Sequence, residues 1–511
     1  MSLTVVIGGA RSGKSARAEQ LAAATGQPVR YVATARPSDP EMAGRIRRHA
    51  ARRPADWETV QAGDSLARAI EGGRGACVLV DGLGVWIASV DGARVGAEIE
   101  RVVAAAAGPD PVIVVAEEAG SGIVPADAVS RAWLDVHGDA MQRLAAAADR
   151  VELVVAGRPL ALSAGAGPGP LPAGLRHHGD TDLRPGDADH AVNVLAGGPP
   201  AWLREALHAA LDRDTDRYPT EVDAVAALAA LHGRGPDEIV PTNGAAEALW
   251  LLPTALRPTL AACVHPGFTE SEAALRTHGV PIARVLRDPE RGFALDPLAV
   301  PAAADLVIVG NPASPTGTLD AAAAVLALRR PGRVVVVDEA FMDLVPGEPA
   351  TLVRERLDDV IVVRSLTKAL AVPGLRVGYA VAAPALAERL RAARPPWSAN
   401  ALALAALAAA ARRPEALAAA AARVQEERAD LDRRLRAIEG VRAWPGAANF
   451  CLVEVADGPR VAAALRDRSI AVRPAGTFPG LGAGHLRITA RSAEENARLA
   501  SALEEALAEC R

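Results

Sequence analysis

The chain is 511 residues long, half of them hydrophobic and only 3% aromatic, and its 56 basic and 61 acidic residues leave a net charge of −5. This length predicts about three domains, and the hydrophobic residues are numerous enough to form buried cores. The slightly acidic balance argues against nucleic acid or an anionic membrane as a partner. Four scattered cysteines, and the lack of a basic leader before the first apolar run, favour a cytoplasmic location.

Short apolar runs alternate with helical stretches in the first third of the chain. They lie at residues 3–7, 78–80, 112–115 and 151–155. Such alternation predicts an α/β domain with a parallel sheet. The Gly/Pro-rich stretch that follows has the composition of a linker. We therefore expect a first domain at 1–163, a linker at 164–176 and a second domain at 177–511.

The same alternation resumes in the second domain. Apolar runs at 306–309, 334–337 and 360–363 are candidates for parallel strands, which predicts a large α/β/α lobe. From about residue 395 to the end, a long Ala/Arg/Glu helix precedes strand-like segments at 450–455 and 485–489. We expect this part to form a smaller α+β lobe.

A phosphate-binding signature lies near the start of the chain: Gly8, Gly9, Ala10, Arg11, Ser12, Gly13, Lys14 and Ser15. It follows a predicted strand and opens a helix, so backbone N–H groups can cradle phosphate oxygens. Lys14 adds a positive charge, and Ser15 can ligate Mg²⁺ together with Asp81 at the end of the run 78–80. The sequence thus predicts a P-loop site for a nucleoside triphosphate and Mg²⁺.

The first domain resembles the adenosylcobinamide kinase/adenosylcobinamide-phosphate guanylyltransferase family of cobalamin synthesis. Besides the P-loop, the matching residues are Tyr31-Val32-Ala33-Thr34-Ala35, Glu41-Met42, Arg45-Ile46, His49, Arg52-Arg53-Pro54, Trp57-Glu58-Thr59, Gly120, Gly122-Ile123-Val124-Pro125 and Val154-Val155-Ala156-Gly157. The resemblance implies GTP and ATP as substrates, Glu118 at the nucleotide, and His49 as the catalytic residue that accepts GMP. A neutral imidazole is a competent nucleophile near pH 7.

This domain departs from the family pattern in three places. Asp81-Gly82-Leu83-Gly84 stands where the family usually has Asp-Cys-Leu-Thr, Ala116-Glu117-Glu118 replaces Ser-Asn-Glu, and Met141-Gln142 replaces Asn-Gln. Gly84 removes a hydroxyl that could contact nucleotide or metal. We expect guanylyl transfer to be retained because His49 and the P-loop are intact, and the pattern leaves the kinase activity open.

The second domain carries the residues that a pyridoxal 5′-phosphate enzyme requires. Lys368 is the expected catalytic lysine, and Asp338 is the expected partner of the pyridine nitrogen. Asn311 can bind the ring hydroxyl, and Phe268 can stack on the ring. The remaining predicted cofactor contacts, which include the phosphate site, are Gly244, Ala245, Ala246, Phe341, Ser365, Thr367 and Arg376.

This domain resembles the fold-type-I aminotransferase superfamily and, within it, the threonine-phosphate decarboxylase branch. The resemblance rests on His178-Gly179-Asp180, Asn193, Tyr218-Pro219, Thr242-Asn243-Gly244, Asn311-Pro312, Pro315-Thr316-Gly317, Asp338-Glu339-Ala340-Phe341, Ser365-Leu366-Thr367-Lys368, Pro373-Gly374-Leu375-Arg376, Gly378-Tyr379, Pro396-Trp397-Ser398, Asn400, Asn449-Phe450 and Arg487. It implies that Arg487 holds the substrate carboxylate and that Asn193 and Asn400 also contact substrate. It further implies a homo-oligomer in which Tyr218 reaches the cofactor phosphate of a neighbouring subunit.

Together the two resemblances predict a bifunctional cobalamin-synthesis enzyme with small-molecule substrates. The second domain would convert L-threonine O-3-phosphate to (R)-1-amino-2-propanol phosphate, and the first would phosphorylate or guanylylate the cobinamide that carries this arm. One alternative is an aminotransferase of the histidinol-phosphate type. Another is a ligand-sensing regulator, which would need a basic helix-turn-helix at its N-terminus.

Overall fold

The computed structural model describes residues 3–35, 40, 43–44, 46–47, 53–54, 56–108, 110–120, 122, 124–162, 171, 174–177 and 179–510. The chain divides into two compact units, Met1–Gly167 and Pro168–Arg511. No helix within the described ranges is long and apolar enough to cross a membrane.

The strands are β1 (Leu3–Gly8), β2 (Val29–Ala33), β3 (Glu58–Gln61), β4 (Cys77–Asp81), β5 (Val112–Glu117), β6 (Arg150–Val155), β7 (Arg158–Ala161), β8 (Ala188–His190), β9 (Ile239–Asn243), β10 (Ala261–His265), β11 (Ile282–Leu286), β12 (Leu306–Gly310), β13 (Val334–Asp338), β14 (Val360–Ser365), β15 (Val377–Ala382), β16 (Arg442–Ala443), β17 (Phe450–Glu454), β18 (Ile470–Pro474) and β19 (His485–Thr489).

The α-helices are α1 (Lys14–Ala23), α2 (Leu66–Glu71), α3 (Leu83–Ile87), α4 (Gly92–Ala106), α5 (Ala128–Ala147), α6 (Ala201–Asp214), α7 (Val222–His232), α8 (Gly244–Leu256), α9 (Glu270–Thr277), α10 (Ala322–Leu326), α11 (Pro384–Ala393), α12 (Ala401–Ala411), α13 (Pro414–Ala437), α14 (Gly458–Asp467) and α15 (Ala493–Cys510).

The smaller unit is built on one sheet in the order β3-β2-β4-β5-β1-β6-β7. All neighbouring pairs are parallel except β6 and β7. Strands β4 and β5 are almost continuously apolar and buried, because helices cover both faces of a parallel sheet. The carboxyl ends of β1, β4 and β5 therefore meet at one edge, where α/β sheets bind their ligands.

The large lobe of the second unit is a sheet in the order β11-β10-β12-β13-β14-β15-β9. Strands β10 to β14 run parallel, whereas β15 is antiparallel to both β14 and β9. This is the architecture of the fold-type-I pyridoxal-phosphate enzymes, and it confirms the predicted fold class. The apolar runs predicted at 306–309, 334–337 and 360–363 are the strands β12, β13 and β14.

The small lobe has a sheet in the order β16-β17-β19-β18-β8. Strand β8 comes from the start of the second unit and pairs in parallel with β18, so the lobe is not made only of C-terminal residues. Leu175, which the sequence assigns to the linker, is buried, and its carbonyl accepts a hydrogen bond from Thr269 Oγ1 at 2.5 Å. The larger unit thus incorporates the end of the Gly/Pro-rich stretch.

Candidate active sites

The P-loop of the smaller unit connects the buried strand β1 to helix α1. Lys14 Nζ donates to the carbonyl of Gly9 at 3.2 Å, which folds the lysine back over the loop. The loop is tied to the turn between β6 and β7, because the Gly157 N–H donates to the Ser12 carbonyl at 2.7 Å. These contacts hold the loop N–H groups at the helix N-terminus, where they can bind phosphate oxygens.

Asp81 lies at the carboxyl end of β4, beside the start of α1. Ser15 Oγ donates to Asp81 Oδ1 at 3.0 Å, and the Tyr31 hydroxyl donates to the other carboxylate oxygen. Burial raises the pKa of Tyr31, and the nearby Asp81 charge raises it further, so the phenol remains a donor. Hard oxygen ligands of this kind suit Mg²⁺, whose remaining coordination positions are often filled by waters and substrate phosphates. The structure thus brings together the two residues predicted to hold the metal.

The remaining predicted residues of this site have different positions. Glu118 follows β5, and its N–H donates to the Gly8 carbonyl at 3.0 Å, at the foot of the P-loop. His49 lies outside the described residues, so its assignment as the residue that accepts GMP stays a prediction. Among the residues that the structure describes, no cluster of three or more His, Cys, Asp or Glu side chains could hold a metal by itself.

The second candidate site begins at three neighbouring strand ends in the large lobe. Asn311, Asp338 and Lys368 lie at or just beyond the ends of β12, β13 and β14. The strand register pairs Gly310 with Asp338 and Asp338 with Val363. Because parallel strands end at the same edge, the three predicted side chains converge there.

Lys368 and Asp338 interact electrostatically in a buried environment. Burial lowers the pKa of Lys368 to about 8, Asp338 opposes this shift, and the charges of Arg376 and Arg487 reinforce it. Burial raises the pKa of the Asp338 carboxyl, while the Lys368 charge lowers it. A buried carboxylate of this kind fits a protonated pyridine nitrogen, and an amine of lowered pKa fits a carbonyl-bearing cofactor.

The predicted phosphate site forms a tight cradle between the start of α8 and β15. Gly244 has a left-handed φ of 76°, and a Cβ there would lie 2.7 Å from Arg376 Nη2. A Cβ on Gly378 would lie 2.5 Å from the Ala245 nitrogen. The cradle joins a helix N-terminus to a guanidinium, which is the chemistry that binds a phosphate. These residues fit pyridoxal phosphate.

Aromatic and amide groups complete the cofactor site. Lys368 Nζ lies 4.7 Å from the centroid of the Phe341 ring, and Phe268 is half-buried against the core. Asn311 is fully buried. Its Nδ2 donates to the Asp320 carbonyl at 3.0 Å, and its Oδ1 accepts the Asp320 N–H at 2.8 Å. These bonds fix the amide plane while one further N–H of Nδ2 stays available for the predicted bond to the ring hydroxyl.

Two buried arginines lie side by side on the small-lobe sheet. Arg487 in β19 is directly opposite Arg473 in β18, so both side chains project from the same face. Arg487 donates to the Ala191 carbonyl at 2.8 Å and to Ser314 Oγ at 3.3 Å. Arg473, which is only 1% exposed, donates to the His177 carbonyl at 2.7 Å. The predicted carboxylate-binding residue therefore has a second cation beside it.

Sequence reasoning missed Arg473, although a signal was present. Arg473 directly follows the apolar segment Ile470-Ala471-Val472, and the strand that contains Arg487 comes next along the chain. An arginine that continues a buried strand is unusual, because charged side chains are seldom fully buried without a partner or a ligand.

The other predicted substrate contacts differ in their surroundings. Asn193 is buried and accepts a hydrogen bond from Thr489 Oγ1 at 2.7 Å, next to the arginine-bearing sheet. Asn400 caps α12 and donates to the Leu375 carbonyl at 3.1 Å. That contact holds the residue before Arg376, and the contact of Asn400 with substrate stays a prediction.

Tyr218 is 74% exposed and stacks on Trp397 with the ring centroids 4.3 Å apart. The predicted contact of Tyr218 with the cofactor phosphate of a neighbouring subunit stays a prediction.

Comparison with known proteins separates the two units in the same way. Residues 4–162 match the family described as cobinamide kinase / cobinamide phosphate guanyltransferase. Residues 186–503 match the family described as aminotransferase class I and II.

Three curated relatives match one unit or the other. A histidinol-phosphate aminotransferase of Mycobacterium tuberculosis is 46% identical over 325 residues, 62% of this chain and 88% of that protein. The bifunctional adenosylcobalamin biosynthesis protein CobP of Pseudomonas aeruginosa is 41% identical over 165 residues, 31% of this chain and 95% of that protein. A threonine-phosphate decarboxylase of Salmonella typhimurium is 31% identical over 332 residues, 62% of this chain and 91% of that protein.

Proposed function

The chain belongs to the aminotransferase class I and II family over its larger unit and to the cobinamide kinase / cobinamide phosphate guanyltransferase family over its smaller one; from this premise we propose a bifunctional enzyme of cobalamin synthesis. The larger unit decarboxylates L-threonine O-3-phosphate to (R)-1-amino-2-propanol phosphate. The smaller unit phosphorylates adenosylcobinamide, transfers GMP to its phosphate, or does both. The observation that carries the proposal is the presence of both families in one chain.

The presence of both families favours these substrates because the decarboxylation and the cobinamide reactions both concern the aminopropanol group. The relative of the smaller unit is an adenosylcobalamin biosynthesis protein, and one relative of the larger unit is a threonine-phosphate decarboxylase. The product of such a decarboxylation is an amino alcohol phosphate. The smaller unit then acts on the cobinamide that carries this same aminopropanol arm.

In the larger unit, the chain's own residues bind and orient the substrate. Threonine phosphate has two anionic groups, and Arg487 with its neighbour Arg473 supplies two cations on one face of the small-lobe sheet. Arg487 would hold the substrate carboxylate and so fix the orientation of the bond to be broken. Arg473 serves the substrate phosphate.

Pyridoxal phosphate would be held by the Gly244–Arg376 cradle, Asp338, Asn311, Phe268 and Lys368. When bound, it supplies a conjugated ring that stabilises the negative charge left on the α-carbon. Asp338 keeps the pyridine nitrogen protonated. Lys368, whose pKa is about 8, can release and accept a proton near neutral pH at its Nζ.

In the smaller unit, the P-loop and Lys14 bind the triphosphate, and Ser15 and Asp81 hold Mg²⁺. For guanylyl transfer, a ring nitrogen of His49 attacks the α-phosphorus of GTP, and pyrophosphate leaves. A phosphate oxygen of the cobinamide phosphate then attacks the same phosphorus, and the histidine nitrogen leaves. The GMP group thus passes from GTP to His49 and from His49 to the acceptor, and no further co-reactant is needed.

The quaternary structure forms part of the proposal. The Tyr218–Trp397 pair is exposed on the described chain, and we place Tyr218 against the cofactor phosphate of a second subunit in a homo-oligomer. The protein acts on small molecules, and we place it in the cytoplasm.

The decisive experiment supplies the pyridoxal-phosphate-loaded full-length protein with threonine phosphate alone. We expect carbon dioxide and aminopropanol phosphate in equal amounts, with no requirement for a 2-oxo acid. The Lys368→Ala variant should lose this activity, whereas Lys14→Ala should keep it and lose the nucleotide reactions. Full decarboxylase activity in Lys368→Ala would disprove the catalytic assignment.

A histidinol-phosphate-type aminotransferase is the second candidate for the larger unit. The 46% identity to the mycobacterial relative favours it. It requires amino transfer between histidinol phosphate and 2-oxoglutarate, with a new keto compound and no release of carbon dioxide. Measuring both products in parallel decides between the two reactions.

A further inference from the structure

Three residues of the smaller unit form a compact cluster that the nucleotide contacts above do not use: Gly84, Glu117 and His137. Gly84 lies in the first turn of α3, and its N–H donates to Glu117 Oε2 at 2.8 Å. A Cβ on Gly84 would lie 2.4 Å from this same oxygen and 2.9 Å from Trp133 Cζ2. The Glu117 carboxylate therefore occupies the space that any side chain at position 84 would need.

His137 adds an independent observation. It is 3% exposed, and its Nε2 is buried without a hydrogen-bond partner among the described residues. This nitrogen lies 4.0 Å from Glu117 Oε2, and burial lowers the pKa of His137 while Glu117 and Glu118 oppose that shift. The ring stacks on Trp133 at 4.8 Å, and Trp133 Nε1 donates to the Gly84 carbonyl at 3.2 Å. A neutral imidazole is thus held in a fixed position behind the carboxylate.

The topology places Glu117 between the two parts of the nucleotide site. It ends β5, which lies between β4 with Asp81 and β1 with the P-loop. The register pairs Glu117 with Gly8, the first residue of the loop. Its side chain is 30% exposed, and the Gly84 N–H holds one of its two carboxylate oxygens.

We propose that Glu117 is the proton acceptor for phosphoryl transfer from ATP to an alcohol in this site, and that His137 is a positioning residue behind it. The proposal rests on the proposed function of the smaller unit. The alcohol oxygen bonds to the γ-phosphorus while the bond to the bridging oxygen breaks and ADP leaves. The hydroxyl proton passes to the Glu117 carboxylate.

The sequence pattern leaves the kinase activity open because position 84 has no hydroxyl, yet the structure puts a carboxylate into the vacated space. A carboxylate is a stronger proton acceptor than the hydroxyl it replaces. The missing hydroxyl at position 84 therefore does not leave this part of the site without a polar group.

The test measures two reactions in each full-length variant: transfer of the γ-phosphate of ATP to adenosylcobinamide, and formation of the GMP–protein adduct from GTP. In Glu117→Gln we expect kcat for phosphoryl transfer to fall at least about 100-fold, the usual contribution of general base catalysis, with KM for ATP unchanged. Formation of the GMP adduct should persist. Glu71→Gln, which changes an exposed glutamate of α2, is the matched control.

A second variant tests the geometry without changing Glu117. Gly84→Ala should displace the carboxylate and lower phosphoryl transfer in a similar way, whereas Gly96→Ala, with nothing within 4 Å of its new Cβ, should not. His137→Asn should lower kcat and leave KM unchanged, and His137→Gln, which keeps a polar group facing Glu117, should recover part of the loss.

Four other outcomes would overturn either the role of Glu117 or the proposed function of the smaller unit. Phosphoryl transfer within about twofold of wild type in Glu117→Gln overturns the proton-acceptor role. Parallel loss of both reactions in that variant would mean that Glu117 serves nucleotide or metal binding, which also overturns it. Wild-type protein that forms the GMP adduct but never phosphorylates cobinamide overturns this inference alone. Wild-type protein that does neither overturns the proposed function of the smaller unit.

Discussion

The chain contains only two lysines, Lys14 and Lys368, and each lies in one of the two candidate sites. Positive charge elsewhere is carried by arginine, which cannot lose its proton in a protein. Lys368 is set apart further by its surroundings, because burial lowers its pKa to about 8. At the residue scale, the reactive amine chemistry of the larger unit therefore depends on one side chain.

The pH dependence of cofactor capture follows from this pKa. A lowered pKa means that the amine loses its proton at lower pH, so the reactive neutral form increases through pH 8. At pH 8 half of Lys368 is neutral, against about one in 300 for an ordinary lysine. We expect the rate of pyridoxal phosphate attachment to the apoprotein to rise with a midpoint near pH 8.

Absorbance of the bound cofactor in stopped-flow mixing measures this rate. In Asp338→Asn the midpoint should move to lower pH, because Asp338 raises the Lys368 pKa. A midpoint near 10.5 in the wild type would contradict the effect of burial.

At the element scale, the strand ends were the predictable part of the structure. Runs such as Val334–Val337 identify buried parallel strands, and a polar residue after such a run marks the ligand edge. This logic located Asn311, Asp338 and Lys368 correctly at one edge. It missed β18, and it missed β8 because a strand of three residues is too short to show a period. The packing of Glu117 against Gly84 depends on contacts between elements, which periodicity does not encode.

The cradle at the start of α8 gives a prediction for an element rather than a single group. In Gly244→Ala the new Cβ would lie 2.7 Å from Arg376 Nη2, so the guanidinium would have to move. Loss of one charge-assisted hydrogen bond costs about 1.5–3 kcal/mol, so pyridoxal phosphate should bind about 10- to 140-fold more weakly. Fluorescence titration of the apoprotein measures this affinity.

Gly279→Ala is the matched control for the cradle. Gly279 has a similar left-handed φ of 68°, but nothing lies within 4 Å of its Cβ position. Both variants carry the same backbone strain, and only one moves Arg376. Equal loss of affinity in the two would assign the effect to strain and refute the cradle.

At the scale of the whole molecule, each unit has its own hydrophobic core. The smaller unit is built around residues such as Val5, Val80 and Val114, and the larger one around residues such as Val309 and Val337. Independent cores predict independent unfolding. We expect two calorimetric transitions for the full-length protein.

Ligands should identify these transitions. GTP with Mg²⁺ should raise only one midpoint, and pyridoxal phosphate only the other. A nucleotide at 100 times its Kd adds about 2.7 kcal/mol, which shifts the smaller unit by about 5–10 °C. A single transition that responds to both ligands would contradict the division into two units.

The contact between Gly84 and Glu117 also makes positions 84 and 117 depend on each other. The family that the smaller unit resembles usually has threonine at position 84 and asparagine at 117. A Cβ at 84 would lie 2.4 Å from Glu117 Oε2, so a side chain there requires the carboxylate to move. The two departures from the family pattern therefore form a matched pair: the missing side chain at 84 leaves the space that the Glu117 carboxylate fills.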